Sequence, residues 1–270
     1  MADSEHRRGR IVLAIDTCSL TRPALEAAAA LAVGLRSELS VLFVEDEQLL
    51  RLASVPFAHE IELPLAHLQR IGLDDMEQAF RVQTEQLRRV VEETARCLAL
   101  AWALGVTRGE ILSVSLAQLR REDLLVVGKG RLASFPLGGW PGEAGPFDAL
   151  AARSVMVSFG KSETGLRALE AGFAIARVIG SQIAVLISAR SPEAFRASRE
   201  RAQRWLADRD AAARYLSFAG GDVAALARAV RSQGAGVLIW PSPATEQALP
   251  ALGALLEELA CPVVVLPLRE

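Results

Sequence analysis

Short continuous apolar runs alternate with longer helical segments along this chain. The run at residues 11–16 is followed by an alanine-rich segment with helical spacing, and then by a second apolar run at residues 39–44. Runs of this kind are typical of strands that are buried on both faces of a parallel sheet. Their alternation with helices predicts an α/β fold with doubly wound parallel sheets and right-handed crossovers.

The same criteria predict elements along the whole chain. The predicted strands of the first half are 11–16, 39–44, 99–106 and 123–128, and its predicted helices are 22–36, 74–96 and 109–120. The predicted strands of the second half are 154–159, 182–188, 213–218, 236–240 and 262–267, and its predicted helices are 163–179, 191–209, 221–232 and 246–259. Residues 46–95 are predicted to hold a loop punctuated by Pro56 and Pro64, followed by the amphipathic helix 74–96. The strand order expected for each half is 3-2-1-4-5.

The second half repeats the first. Leu25 and Leu169 align with their neighbours without a gap at an offset of 144 residues. A second ungapped match starts at Gly109 and Gly221, an offset of 112, so the first half carries 144 − 112 = 32 extra residues between the two matches. We therefore predict two repeated domains, residues 1–152 and 153–270, with an insertion at residues 46–73 of the first.

The repeat leaves the first domain without a fifth strand of its own. After Val127 the chain enters a Gly- and Pro-rich loop, residues 128–145, and the next strand is already the first strand of the second domain. An unpaired sheet edge favours association with other chains. We predict that the other domain, this loop or a second subunit covers the edge.

Composition and charge narrow the function classes. The chain has 270 residues, and its net charge of −2 gives no electrostatic reason to expect nucleic-acid partners. Its three cysteines are widely spaced and form no C-x-x-C pair, so neither a disulfide framework nor a metal is expected. No apolar run approaches ~20 residues and the N-terminus lacks a signal-peptide core, so we expect a cytoplasmic protein without membrane contact.

Candidate catalytic residues are sparse. No Ser/His/Asp arrangement is recognisable, and the pair His59–Glu60 lacks the second histidine of a metalloprotease helix because Leu63 occupies that position. His59, Glu62 and His67 leave a metal site in the insertion as an alternative to a polar loop. We expect a protein that is not an enzyme.

The elements and their order resemble the universal stress protein family. The resemblance rests on an acid-terminated first strand, an A-L-x-x-A helix start, a G-E-I-L segment, an L-L-V-V-G strand and a C-P-V-V-V segment. These are residues 11–16, 24–28, 109–112, 124–128 and 261–265. The resemblance covers nearly all of both halves apart from residues 46–73 and 129–146. It implies a single-chain tandem of a unit that this family usually assembles as a homodimer, with a regulatory or stress-response function.

The resemblance also implies candidate ATP-binding residues in the first domain. Asp16 matches the family's strand-one acid, which faces the ribose or adenine, and Val44 matches the valine that packs on the base. Gly128 matches the first glycine of the phosphate loop, whose backbone N–H groups approach phosphate oxygens. Arg131 stands where the second glycine is expected and Gly130 is offset by one, so the motif is degenerate. The alternatives are a helix cap for Asp16 and a plain turn for Gly128 and Gly130.

The second domain departs further from the family pattern. Gly160 replaces the acid, Ser188 replaces the valine, and residues 240–243 (Trp-Pro-Ser-Pro) replace the glycine loop. Proline removes an N–H donor, so nucleotide binding is expected in the first domain only.

Two other functions stay open. One is a ligand-free scaffold or interaction protein, and the other is a nucleotide-hydrolysing enzyme. The expected partners are another protein, bound through residues 46–73 or 128–145, or a second copy of the chain in a homodimer.

Overall fold

The computed structural model describes residues 9–16, 22–54, 59–62, 67–70, 72–128, 146–160, 163–218, 222–242 and 249–267. The first half contains β1 (Ile11–Asp16), α1 (Arg22–Leu35), β2 (Leu39–Asp46), α2 (Glu47–Ala53), β3 (His59–Glu62), β4 (His67–Arg70), α3 (Leu73–Leu98), β5 (Trp102–Gly109), α4 (Ile111–Ala117) and β6 (Leu124–Val127). The second half contains α5 (Asp148–Ala151), β7 (Ser154–Phe159), α6 (Glu163–Ile179), β8 (Ile183–Ser188), α7 (Pro192–Ala207), β9 (Ala213–Phe218), α8 (Val223–Ser232), β10 (Ala235–Ser242), α9 (Leu249–Glu258) and β11 (Val263–Pro267).

Nine strands form one continuous sheet in the order β5-β2-β1-β6-β11-β10-β7-β8-β9. Neighbouring strands are parallel within each half, whereas β6 and β11 pair antiparallel. The second half therefore has the order 3-2-1-4-5, and the first half has 3-2-1-4 with no fifth strand of its own. The predicted α/β class and strand order are confirmed, and the domain boundary at residue 152 stays a prediction.

Strand β11 covers the open edge of the first half. It pairs with β10 on one side and with β6 on the other, where Val263 lies opposite Val127 and Val265 opposite Leu125. Of the three coverings predicted for this edge, the structure shows the first, the other half. The central strand is thus shared, because its N–H and C=O groups complete the ladders of both halves.

The strand side chains alternate between two buried cores. Ile11, Leu13 and Ile15 of β1 belong to a core that also contains residues of α1 and α6, while Val12 and Ala14 belong to the core on the other face, which contains residues of α4, α8 and α9. Burial on both faces explains why the strands are continuous apolar runs in the sequence. Helices on both faces make this a doubly wound sheet.

Helices α1 and α6 pack closely over the junction of the two halves. The alanines at positions 27–30 of α1 have no exposed surface. A Cβ on Gly34 would lie 2.8 Å from the Cβ of Ala174 in α6, inside van der Waals contact. Small side chains along this contact let the two helix backbones approach each other.

Two predicted elements of the first half had wrong boundaries. The predicted strand 99–106 is β5, residues 102–109, because α3 continues to Leu98 and Ala99 ends it with a left-handed backbone at φ 50°. The predicted helix 109–120 is shorter, residues 111–117, because the side chain of Glu110 caps its first turn.

The insertion is more ordered than the sequence predicted. β2 continues to Asp46, whose side chain accepts a hydrogen bond from the backbone N–H of Gln48 and starts α2. β3 and β4 form a separate antiparallel hairpin in which Glu62 lies opposite His67. The predicted loop was therefore wrong for the start of the insertion. No helix in the described residues has the length and apolar character needed to cross a membrane.

Candidate functional site

The antiparallel junction separates the candidate sites of the two halves. In parallel sheets, ligands bind beyond the carboxyl ends of the strands, near the point where the strand order reverses. Because β6 and β11 run in opposite directions, the carboxyl ends of the first-half strands and of the second-half strands lie at opposite ends of the strands. These two ends of the sheet are called the first-half edge and the second-half edge below. A ligand at one edge therefore cannot contact the equivalent residues of the other half.

The first-half edge brings three of the five candidate residues together. Asp16 lies directly opposite Val44 in the β1–β2 pair, and Gly128 follows β6, the other neighbour of β1. Asp16 is partly exposed, whereas Val44 and Gly128 are buried. Gly130 and Arg131 lie outside the described residues.

Val44 is completely buried, with no exposed surface. Its side chain belongs to the core cluster that also contains Leu42 and Leu112. Contact between this valine and a nucleotide base therefore requires that the groups covering it move aside.

Acidic side chains near this edge act as helix caps. Asp46 caps α2, and the carboxylate of Glu110 accepts hydrogen bonds from the backbone N–H groups of Leu112 (3.1 Å) and Ser113 (2.8 Å) and from the Ser113 hydroxyl. Partial burial by itself would raise the pKa of Glu110, but these hydrogen bonds outweigh it and lower the pKa. Glu110 is therefore held as a carboxylate at the start of α4.

An ion pair joins the ends of β2 and β5. The guanidinium Nε of Arg108 donates to Glu45 at 2.7 Å, and its Nη2 lies 3.5 Å from a carboxylate oxygen of Glu77 in α3. The hydrogen bond from Arg108 to Glu45 and the two carboxylate charges raise the pKa of Arg108. This cation is already paired with two carboxylates.

The second-half edge lacks the corresponding groups. Gly160 follows β7 and Ser188 is the last residue of the neighbouring strand β8, and both are exposed. A Cβ on Gly160 would find no atom within 4 Å, so this position is open. Pro241 lies within β10 and cannot donate a backbone hydrogen bond.

Glu26, the most buried carboxylate among the described residues of the first half, was not identified as a candidate from the sequence. Its side chain in α1 has no exposed surface, pairs with Arg22 at 2.7 Å, and accepts hydrogen bonds from the backbone N–H groups of Ala149 (3.3 Å) and Leu150 (3.1 Å). Burial raises the pKa of Glu26, and the bonds from Arg22, Ala149 and Leu150 oppose that rise. A glutamate inside an alanine-rich helical run is the sequence signal that could have identified it.

The metal alternative in the insertion stays a prediction. Among the described residues, no group of three or more His, Cys, Asp or Glu side chains could hold a metal ion. The side chains of His59, Glu62 and His67 lie outside that description.

The fold is similar to that of a solved universal stress protein. The protein from Archaeoglobus fulgidus is 12% identical over 96% of this chain and 97% of its own chain, with a TM-score of 0.58. A Burkholderia pseudomallei protein of that family is 21% identical over 44% of this chain and 98% of its own, with a TM-score of 0.33. No protein-family model and no curated protein matches the sequence. The Archaeoglobus likeness, over nearly the full length of both chains, shows that this chain has the universal stress protein fold.

Proposed function

We propose that this chain is a regulatory module without catalytic activity, acting in a cytoplasmic stress response, and that its first half alone takes up ATP or a related nucleotide. The observation that carries the proposal is the pairing of Asp16 with Val44 at the carboxyl ends of β1 and β2. The equivalent pair in the second half is Gly160 and Ser188, which offers no carboxylate. The shared fold supports the stress-response part of the proposal.

The residues at this edge suit particular parts of a nucleotide. The Asp16 carboxylate is an acceptor for ribose hydroxyl groups. Gly128 ends β6 next to β1, where a side-chain-free backbone can approach phosphate oxygens. The described charges near this edge are mostly acidic and oppose a highly charged triphosphate. Lys129 and Arg131, outside the described residues, are the cations that the proposal assigns to the phosphates.

The absence of catalysis is proposed because the carboxylates near Asp16 take part in ion pairs and helix caps. Glu45 is paired with Arg108, while Asp46 and Glu110 cap helices. A general base must be able to take up a proton near the working pH. A carboxylate that accepts hydrogen bonds from helix N–H groups, and whose pKa is lowered like that of Glu110, is a weak base for this purpose.

Calorimetry tests the proposal. ATP and AMP are titrated into the wild type, Asp16→Ala and Ser188→Ala, the last being the matched position to Val44 in the second half. We expect binding to the wild type and to Ser188→Ala, and a loss of at least ten-fold in affinity for Asp16→Ala, which removes a charge-assisted hydrogen bond worth roughly 1.5–3 kcal/mol. Equal affinities for all three proteins would contradict the assignment of the site. Phosphate release above the buffer rate, lost in Gly128→Val, would instead identify a hydrolase.

A ligand-free scaffold is the second candidate, and the burial of Val44 favours it. The partner surface in that case lies on the insertion, where Leu52 of α2 is 60% exposed. The absence of heat with either nucleotide, together with dimers that Leu52→Asp dissociates in sedimentation experiments, would support the scaffold over the nucleotide sensor.

A further inference from the structure

A pocket of about 380 Å³ lies at the junction of the two halves, separate from the Asp16 edge. It opens where β1 and β6 begin and β11 ends, beside α6. Its apolar wall is formed by Ile11, Leu35, Leu124 and Leu266. Its polar wall includes Glu122, Arg167 and Glu170.

The equivalent place in the second half is filled by α5. At the 144-residue offset of the repeat, Glu170 in the wall of the pocket corresponds to Glu26 in α1. Glu26 accepts hydrogen bonds from the backbone N–H groups of Ala149 and Leu150 at the start of α5. The side chain of Leu150 is 1% exposed, and its Cδ2 lies 3.5 Å from where a Cβ on Gly236 of β10 would be. In the second half, Glu26 and the apolar contact of Leu150 with β10 thus hold α5 at the position that corresponds to the pocket.

The repeat also indicates which segment belongs in the pocket. The same offset that relates α1 to α6 relates α5, residues 148–151, to residues 4–7. Gly9, which lines the pocket, corresponds to Arg153, which follows α5. Residues 1–8 lie outside the described part of the chain.

Charge differs between the two halves in a complementary way. Arg7 and Arg8 correspond to Ala151 and Ala152 of the second half. Glu122 in the pocket corresponds to Gly234 at the 112-residue offset of the later match. In the second half, Ala151 and Ala152 therefore follow a turn held by one carboxylate, Glu26, which is paired with Arg22. In the first half, two arginines precede a wall with two carboxylates, Glu122 and Glu170, and one cation, Arg167, which lies 3.8 Å from Glu122. Opposite charges on a segment and on its binding surface favour their association.

We propose that this pocket is a peptide-docking site whose occupant is residues 4–8 of the same chain. Glu170 accepts hydrogen bonds from backbone N–H groups of residues 4–8, as Glu26 does from those of α5. Glu122 attracts the arginines of residues 4–8. The proposal is independent of nucleotide binding at Asp16.

A double-mutant cycle tests the proposal in the full chain. One variant replaces residues 4–8 by glycine and serine, a second is Glu170→Gln, and a third combines both. Loss of a hydrogen-bond acceptor typically corresponds to about a five-fold change in an equilibrium constant. We expect Glu170→Gln to raise the unfolding equilibrium constant about five-fold in the intact chain and less than two-fold after the segment is replaced. Glu257→Gln, an exposed glutamate of α9, is the control and should change neither constant.

Methyl NMR supplies a readout that does not depend on stability. Replacing residues 4–8 should shift the methyl resonances of Ile11, Leu124 and Leu266 and leave those of Val185 in β8 unchanged. Additive effects in the cycle, or unchanged pocket resonances, would overturn the proposal. Shifts that appear only as the protein concentration rises would also overturn it, because they would assign the pocket to a segment of a second copy.

Discussion

Val126 of β6 lies opposite Val264 of β11, and both side chains are completely buried. This pair joins the two halves, because β11 belongs to the second half by sequence and completes the sheet of the first. A strand that closes both sheets couples their stabilities. If the second half unfolds, the first half loses its fifth strand, and if the first half unfolds, β11 becomes an exposed edge strand.

Shared closure predicts a single unfolding transition. Trp102 in β5 and Trp205 in α7 report on opposite ends of the nine-stranded sheet. A chain whose only tryptophan is Trp102 and a chain whose only tryptophan is Trp205 should unfold at the same urea concentration. Val264→Ala should lower the free energy of unfolding by about 2 kcal/mol and shift both midpoints equally. Two separate midpoints, with only the Trp205 signal responding to Val264→Ala, would show that the halves unfold independently.

The burial and hydrogen bonds of Glu26 predict that its replacement destabilises the chain more than replacement of an exposed glutamate. Glu26→Ala leaves the N–H groups of Ala149 and Leu150 without their acceptor and Arg22 without its carboxylate, so a loss of about 2–4 kcal/mol in unfolding free energy is expected from urea denaturation at pH 7. Glu163→Ala, at an exposed position of α6, is the control and should cost less than about 0.5 kcal/mol. Equal effects of the two substitutions would contradict a structural role for Glu26.

The pH dependence of Glu26 has a definite sign. Burial raises the pKa of its carboxyl in the folded chain above the ordinary value of 4.5, so folding favours the protonated form. The stabilisation from this titration is complete below pH 4.5 and is lost as the pH rises through the folded-state pKa. The difference in unfolding free energy between the wild type and Glu26→Gln should therefore fall with rising pH in this range. A difference that is flat or rises would contradict the direction of the shift.

The hydrogen bonds of Asp123 predict a dependence of stability on pH opposite to that of Glu26. It pairs with Arg10 at 2.7 Å and accepts hydrogen bonds from the backbone N–H groups of Arg10 and Arg120. Burial would raise its pKa, but these partners outweigh burial and lower the pKa below 3.8. The stabilisation is present above pH 3.8 and is lost as the pH falls through the folded-state value. Asp123→Asn should cost about 1–3 kcal/mol at pH 7 and less at pH 2, as measured by urea denaturation.

The matched control for Asp123 is Asp208→Asn, at an exposed position that follows α7. Its cost should be small at both pH values. If Asp123→Asn had the same cost at pH 7 and at pH 2, the stabilisation would not come from the charged carboxylate.

The strand order was accessible from the sequence because burial on both faces leaves a clear apolar signal. The missing fifth strand also followed from the repeat, since β7 could not serve as both a central and an outer strand. The start of β5 could not be predicted in the same way. It depends on Ala99 adopting a left-handed backbone, which alanine does not favour and which the surrounding structure imposes.

The candidate site was less accessible from the sequence than the fold. Asp16, Val44 and Gly128 meet at one edge because strand order alone places them there. Glu26 and Glu170 occupy equivalent positions in the repeat, yet one is completely buried and the other exposed. The difference arises from α5, which covers Glu26, and a contact between segments more than a hundred residues apart leaves no local signal in the sequence.

Gly34 and Gly253 provide a direct test of the close contact between α1 and α6. Both glycines lie within helices, where replacement by alanine gains up to about 1 kcal/mol in helix propensity. A Cβ on Gly34 would lie 2.8 Å from both the Cβ and the carbonyl oxygen of Ala174, whereas a Cβ on Gly253 would meet no atom within 4 Å. Overpacking of this kind costs about 1–3 kcal/mol. Gly34→Ala should therefore lower the melting temperature and Gly253→Ala should keep or raise it. A stabilising Gly34→Ala would mean that the two helices can separate without cost, and that β11 rather than the α1–α6 contact holds the halves together.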